Sequence, residues 1–147
     1  MAEQQRDDTV RVPMSREVAR ILARADAELV EASQAGTAGE RFVHAHLGAL
    51  RAASAIVAMR GRPARRSGTR TVWDMLAAVE PALGTWSVYF ARGASTRSAI
   101  DAGRFDAVDS ARADELLACA EDFRDEVAMV IDPDARFVRY PLRLIAS

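Results

Sequence analysis

The sequence predicts an all-α fold: a single-domain antiparallel bundle of four to five helices with a non-helical apolar C-terminal tail. Three observations carry that expectation. Apolar residues recur at spacings of three and four along several stretches, those stretches are opened by Ser, Thr or Asp, and no run reads as a core strand. The 147 residues, 50% of them hydrophobic, suffice for one sizeable core. The expected organisation is a loose N-terminal arm over 1–14, the bundle over 15–131 and the tail over 132–147.

Ser15 can cap a first amphipathic helix running to about Ser33, with Val18, Leu22, Ala25 and Leu29 on its apolar stripe. The short turn Gln34 to Thr37 then forces the next helix to pack antiparallel. That second helix, from Thr37 to Arg60, is the best marked: Thr37 with Glu40 reads as a capping box, and Val43, Leu47, Leu50, Ser54 and Val57 form its strongest apolar stripe. Gly61, Pro63 and Gly68 break any helix in the basic loop that follows. Thr71 with Asp74 repeats the capping signature ahead of Val72, Trp73, Leu76, Val79 and Leu83. Pro81 predicts a kink or restart before Trp86, Tyr89 and Phe90, and Gly93 is expected to end that helix, with a short one from about Ser95 to Ala102. The last long helix is expected from about Ser110 to Ile131, opened by Asp109 or Ser110, its buried stripe being Leu116, Ala120, Phe123, Val127 and Val130, stopped by Asp132, Pro133 and Asp134. In the tail, Tyr140, Leu142 and Leu144 alternate with Arg139, Pro141 and Arg143, which suits an extended segment laid on a surface, its own bundle's or a partner's.

All 20 basic residues are arginine, so neither a Schiff-base lysine nor a P-loop lysine is available. The net charge is −1, which argues against generic nucleic-acid binding, but residues 1–59 net −1, residues 60–104 net +5 and residues 105–147 net −5. Such polarity suits an oriented contact with an acidic partner or with a second copy of the chain. Cys119 is the single cysteine, expected as a small core residue in a cytoplasmic protein. No signal-peptide pattern opens the chain, and no stretch is expected to span a membrane.

Chemistry-bearing residues gather on the second helix, which holds both histidines. The run ERFVHAHLGALRAASAIVAMR, the basic loop, TVWDMLAAVEPALGTWSVYFARGASTRSAIDAG and ARADELLACAEDF resemble the actinobacterial SAV branch of the HEPN superfamily over about residues 15–131. The matching positions are Arg41 with Phe42, Ala45 to Leu47, Ala49 to Ala53, Val72 with Trp73, Pro81, Trp86, Phe90 and Gly103. The resemblance implies a helical bundle that often dimerises, acting either as a metal-independent ribonuclease with an Arg-x4–6-His pair or as a non-catalytic binding module. It also points toward DNA-damage-tolerance or other nucleic-acid-processing machinery.

Carried over, the pair is Arg41 and His46, with His46 as general acid or base at the ribose hydroxyl or leaving oxygen and Arg41 on the phosphate. Five residues on a regular helix are roughly 500° of turn, which leaves the two side chains about 140° apart. A buried, hydrogen-bonded His46 is the alternative reading. Arg41, His44 and Arg51 line one helical face that could hold an anion, or simply be solvated. His44 and His46 point roughly 200° apart with no carboxylate to complete a ligand set, so neither a metal nor any other cofactor is expected.

Partner binding is expected from His44 and Arg51, from the loop residues Arg60, Arg62, Arg65, Arg66 and Arg70, and from Phe137, Tyr140, Leu142 and Leu144 in the tail. A homodimer and a protein partner are the favoured associations, with RNA or DNA a less favoured class and a membrane excluded. Trp73, Trp86, Tyr89 and Phe90 are read as core or dimer-interface residues rather than a cofactor box. Two functions follow: a non-catalytic interaction module, favoured, and an endoribonuclease or toxin.

Overall fold

A computed structural model describes residues 14–63 and 71–135. Among them are five α-helices and no strand: α1 (Arg16–Gln34), α2 (Ala38–Arg60), α3 (Val72–Val79), α4 (Gly84–Asp101) and α5 (Ser110–Ile131). The arm over 1–13, the loop over 64–70 and the tail over 136–147 lie outside the described residues.

Local chemistry sets the boundaries. Ser15, Thr37, Thr71 and Asp109 each adopt extended backbone and accept a first-turn amide, from Val18, Glu40, Asp74 and Arg112. Only Thr71 and Asp74 complete the reciprocal box, with the Asp74 carboxylate taking the Thr71 amide. At Thr37 the box is half made: the hydroxyl caps, but among the described residues the Glu40 carboxylate does not take the Thr37 amide in return. Pro81 ends α3 and opens a single 3-10 turn, Pro81–Leu83, after which the chain restarts as α4.

Helix α2 is the central post, contacting each of the other four helices. Its buried residues include Phe42, Ala45, His46, Ala49, Ala52, Ala53 and Ile56, whereas Val43, Leu47, Leu50 and Ser54 are only half buried. The expected stripe is therefore corrected by about one residue of rotation. Bulky residues marked the flanks of the helix, while the centre is filled by alanines and by rings supplied from neighbouring helices. Gly48 lets α1 come close: a Cβ there would stand 2.7 Å from Leu29 Cδ2 and 3.3 Å from the Ala25 carbonyl oxygen. Arg124 on α5 clips α1 through two bonds to Asp26, of 2.7 and 3.1 Å.

The helix expected to stop at Gly93 does not. α4 runs unbroken through it, because Gly93 is a point of close packing rather than a terminator. By length and composition α2 could span a bilayer, but 56% of its apolar window is buried within the bundle, so its hydrophobicity is satisfied by the other helices.

Candidate functional site

His46 stands at the centre of an aromatic cluster. Phe90 is the hub, with ring centroids 5.2 Å from Trp73, 5.7 Å from Trp86, 5.1 Å from Tyr89 and 5.3 Å from Phe123. The His46 ring lies parallel to Phe42 and edge-on to Trp73 and Phe90. It is 1% exposed. Both nitrogens are engaged: Nε2 lies 2.8 Å from the Phe90 carbonyl oxygen and Nδ1 lies 3.2 Å from Arg97 Nη1. A carbonyl can only accept and a guanidinium can only donate, so the proton is on Nε2 and Nδ1 is the bare acceptor.

Burial is the foremost reason that the His46 pKa is lowered. The Phe90 carbonyl pulls the other way, and the positive charges of Arg97 and Arg112 add to the lowering. Phe90, Gly93 and Arg97 occupy positions i, i+3 and i+7 on one face of α4, and Gly93 makes that embrace possible. A Cβ on it would meet His46 Cδ2 at 3.0 Å, His46 Nε2 at 3.3 Å and Phe42 Cζ at 3.5 Å.

Arg41 is directed elsewhere. Its Nη1 donates to Asp114 of α5 at 2.8 Å and its Nη2 to the Ala35 carbonyl at 3.3 Å. His44 lies on the opposite side, Nδ1 at 3.0 Å from Glu28 of α1, and Arg51 approaches the same carboxylate at 4.0 Å. The structure thus joins His44 with Arg51 and separates both from Arg41. The expected anion-holding face is divided between two helices, and its three side chains are each directed to a carboxylate. Arg41 and His46, likewise, are held on different partners and do not converge on one another. Arg60 pairs with Glu80 at 3.6 Å, and Arg62 is exposed. Arg65, Arg66 and Arg70 of the loop, and Phe137, Tyr140, Leu142 and Leu144 of the tail, lie outside the described residues.

Beside the aromatic cluster, the Arg112 guanidinium sits 5.7 Å from the Phe42 ring centre and 5.3 Å from that of Tyr89, and donates to the Tyr89 hydroxyl at 2.7 Å. Burial, then the Cys119 thiol, hold the Tyr89 phenol above its usual pKa. Trp86 Nε1 donates to Glu126. Among the described residues no three His, Cys, Asp or Glu side chains gather closely enough to hold a metal ion. A groove of about 510 Å³ opens where the α2 N-terminus meets the α4 C-terminus, lined by Ala38, Val43, Ile100 and Phe105 together with Glu40, His44 and Asp101.

A sequence profile of the SAV_6107-like HEPN family matches residues 32–128, more than half of the chain. The chain belongs to the HEPN family. No curated protein and no solved structure matches it. In this HEPN domain the histidine of the Arg-x4-His spacing is a core residue by its geometry, with no nitrogen and almost no surface open to a ligand. Arg97 and Arg112 are the residues that the sequence did not single out, and Gly93, expected as a helix end, is instead a packing contact. The available signal was the spacing of Phe90, Gly93 and Arg97, which marks one face of a helix with room for a ring opposite the glycine.

Proposed function

We propose that this HEPN domain is a non-catalytic, cytoplasmic interaction module, homodimeric, that docks a protein partner belonging to nucleic-acid-processing machinery such as that of DNA-damage tolerance. The observation that carries the reading is the enclosure of His46. A general acid or base must touch the proton it moves, and a ring 1% exposed with Nε2 on Phe90 and Nδ1 on Arg97 touches no substrate. Arg41 is directed to Asp114 and the Ala35 carbonyl, on different partners from His46, so the two do not present one site. Support for docking comes from the charge pattern: the basic loop from Arg60 to Arg70 suits an acidic protein surface.

The test is cleavage of single-stranded and structured RNA by the purified full chain in the presence of a chelator. RNA is expected to stay intact, with the parent indistinguishable from His46→Ala. In host extract, Arg65→Glu with Arg66→Glu is expected to abolish capture of the partner. RNA cleavage by the parent that disappears in His46→Ala at an unchanged thermal midpoint overturns the reading in favour of a nuclease.

A further inference from the structure

Half-buried arginines in this bundle follow a rule with one exception. Among the described residues they are Arg41, Arg51, Arg97, Arg112 and Arg124. Four of them face a carboxylate: Arg41 pairs with Asp114 at 2.8 Å, Arg51 approaches Glu28 at 4.0 Å, Arg112 pairs with Glu115 at 3.1 Å and Arg124 with Asp26 at 2.7 Å. A guanidinium that has given up part of its hydration is best compensated by an anion, which accounts for the rule. Arg97 is the exception. Among the described residues it forms no ion pair, and its Nη1 donates to the bare Nδ1 of His46, a neutral acceptor.

The missing partner is not for want of an acid in reach along the helix. Asp101 lies four residues further on α4, the spacing of an ordinary helical ion pair, yet no such pair forms. The Arg97 side chain turns inward to the imidazole instead, and the charge it meets there has its own sign. Arg112, seated over the Phe42 ring, flanks the same histidine. A guanidinium offers five N–H groups in a planar fork, and Nδ1 can take only one of them. His46, itself anchored at Nε2 by the Phe90 carbonyl, therefore orients the fork without neutralising it. An oriented, uncompensated guanidinium with part of its surface open is a pre-organised receptor for an oxyanion.

We propose that Arg97 is a docking residue that takes a carboxylate, an Asp or Glu side chain of the protein partner, on the N–H groups it does not give to His46. His46 is the positioning residue that holds Arg97 for this contact. A carboxylate is the group that the bundle matches to each of its other half-buried arginines, and it is the group that an acidic partner surface supplies. The inference rests on the interaction module proposed above and deepens it: a second anchor on α4 joins the basic loop, and the buried histidine acquires a role that needs no catalysis.

The imidazole is its own reporter. With the histidine nitrogens of the full chain isotope-labelled, a capped tetraglutamate peptide titrated at constant ionic strength near neutral pH is expected to move the His46 Nδ1 resonance saturably. Capped tetraglutamine is expected to leave it in place. Arg97→Gln keeps an N–H for Nδ1 but removes the charge, and is expected to weaken the peptide about tenfold or more; Arg97→Lys, which keeps the charge without the fork, is expected to fall between. Arg65→Glu with Arg66→Glu is expected to leave the His46 response intact, which separates this site from the loop. A parent whose His46 ignores tetraglutamate, a response that survives undiminished in Arg97→Gln, or a response to inorganic phosphate and not to the peptide overturns the inference, the last in favour of a phosphate ligand. No RNA is present, so this result and the cleavage assay fail independently.

Discussion

His44 and His46 stand two residues apart on α2 in opposite surroundings. His44 is about a third exposed and meets a carboxylate, Glu28, on α1. His46 is enclosed by rings, bonded to a backbone carbonyl and flanked by two arginines that oppose its protonation. The difference teaches that the Arg-x4-His spacing fixes only which faces of a helix two side chains occupy. What packs against those faces decides whether they can do chemistry, and here α4 presents Phe90, Gly93 and Arg97 to one of them. The comparison makes definite demands on stability, and each can be broken.

The largest effect is expected from His46→Ala. Removing a buried ring from this cluster costs about 3–4 kcal/mol, by analogy with the truncation of other core rings, which lowers the thermal midpoint by roughly 10 °C. The parent's stability also carries a pH signature of His46. Above pH 6.5 the imidazole is neutral in the folded and unfolded chain alike and adds no slope. As pH falls below 6.5 the unfolded chain takes up a proton that the folded one refuses, so stability declines, by up to about 1.4 kcal/mol per pH unit, until the lowered folded pKa is passed. Denaturant titrations between pH 5 and 8 are expected to show that decline in the parent and a flatter profile in His46→Ala. A small loss of stability would place His46 outside the core.

Gly93→Ala comes next. In an exposed helix interior the change would gain about 1 kcal/mol. Here the added methyl meets a ring pinned at both nitrogens, and overpacking of about 1–3 kcal/mol outweighs the gain. With His46→Ala in the background the obstruction is gone, and the same substitution is expected to become stabilising. That reversal of sign in a double-mutant cycle would tie Gly93 to His46 and to nothing else. Destabilisation by Gly93→Ala in both backgrounds would break the link.

Most of the fold was legible because its signals are local. Ser15, Thr71 with Asp74, Asp109 and Pro81 act on residues within one turn of themselves, so their effects can be read without knowing what packs where. The surroundings of His46 were not legible for the converse reason. They depend on Phe90, Gly93, Arg97 and Arg112, 44 or more residues away, and on how α4 lies against α2. Two misreadings share this cause. Gly93 read in isolation is a helix stop, and Val43, Leu47 and Leu50 read by size alone are a core stripe. In the folded chain the glycine is a contact and the alanines between the large residues are the core.

The smallest effects are expected on the polar rim, and they sharpen the contrast from its other side. Asp114 is 66% exposed, so its bond to Arg41 is screened and competes with water, and pairs of this kind contribute about 0–1 kcal/mol. Arg41 also donates to the Ala35 carbonyl next to the end of α1, so Arg41→Ala is expected to lie toward the upper end of that range. His44→Ala loses a partly exposed contact with Glu28 and should cost no more. The Asp114 share of the Arg41→Ala cost is expected to fade in concentrated salt, whereas the cost of His46→Ala, which comes from packing and buried hydrogen bonds, persists there. Equal, salt-resistant costs at positions 44 and 46 would mean that both histidines belong to the core, and the distinction between the two faces of α2 would fall.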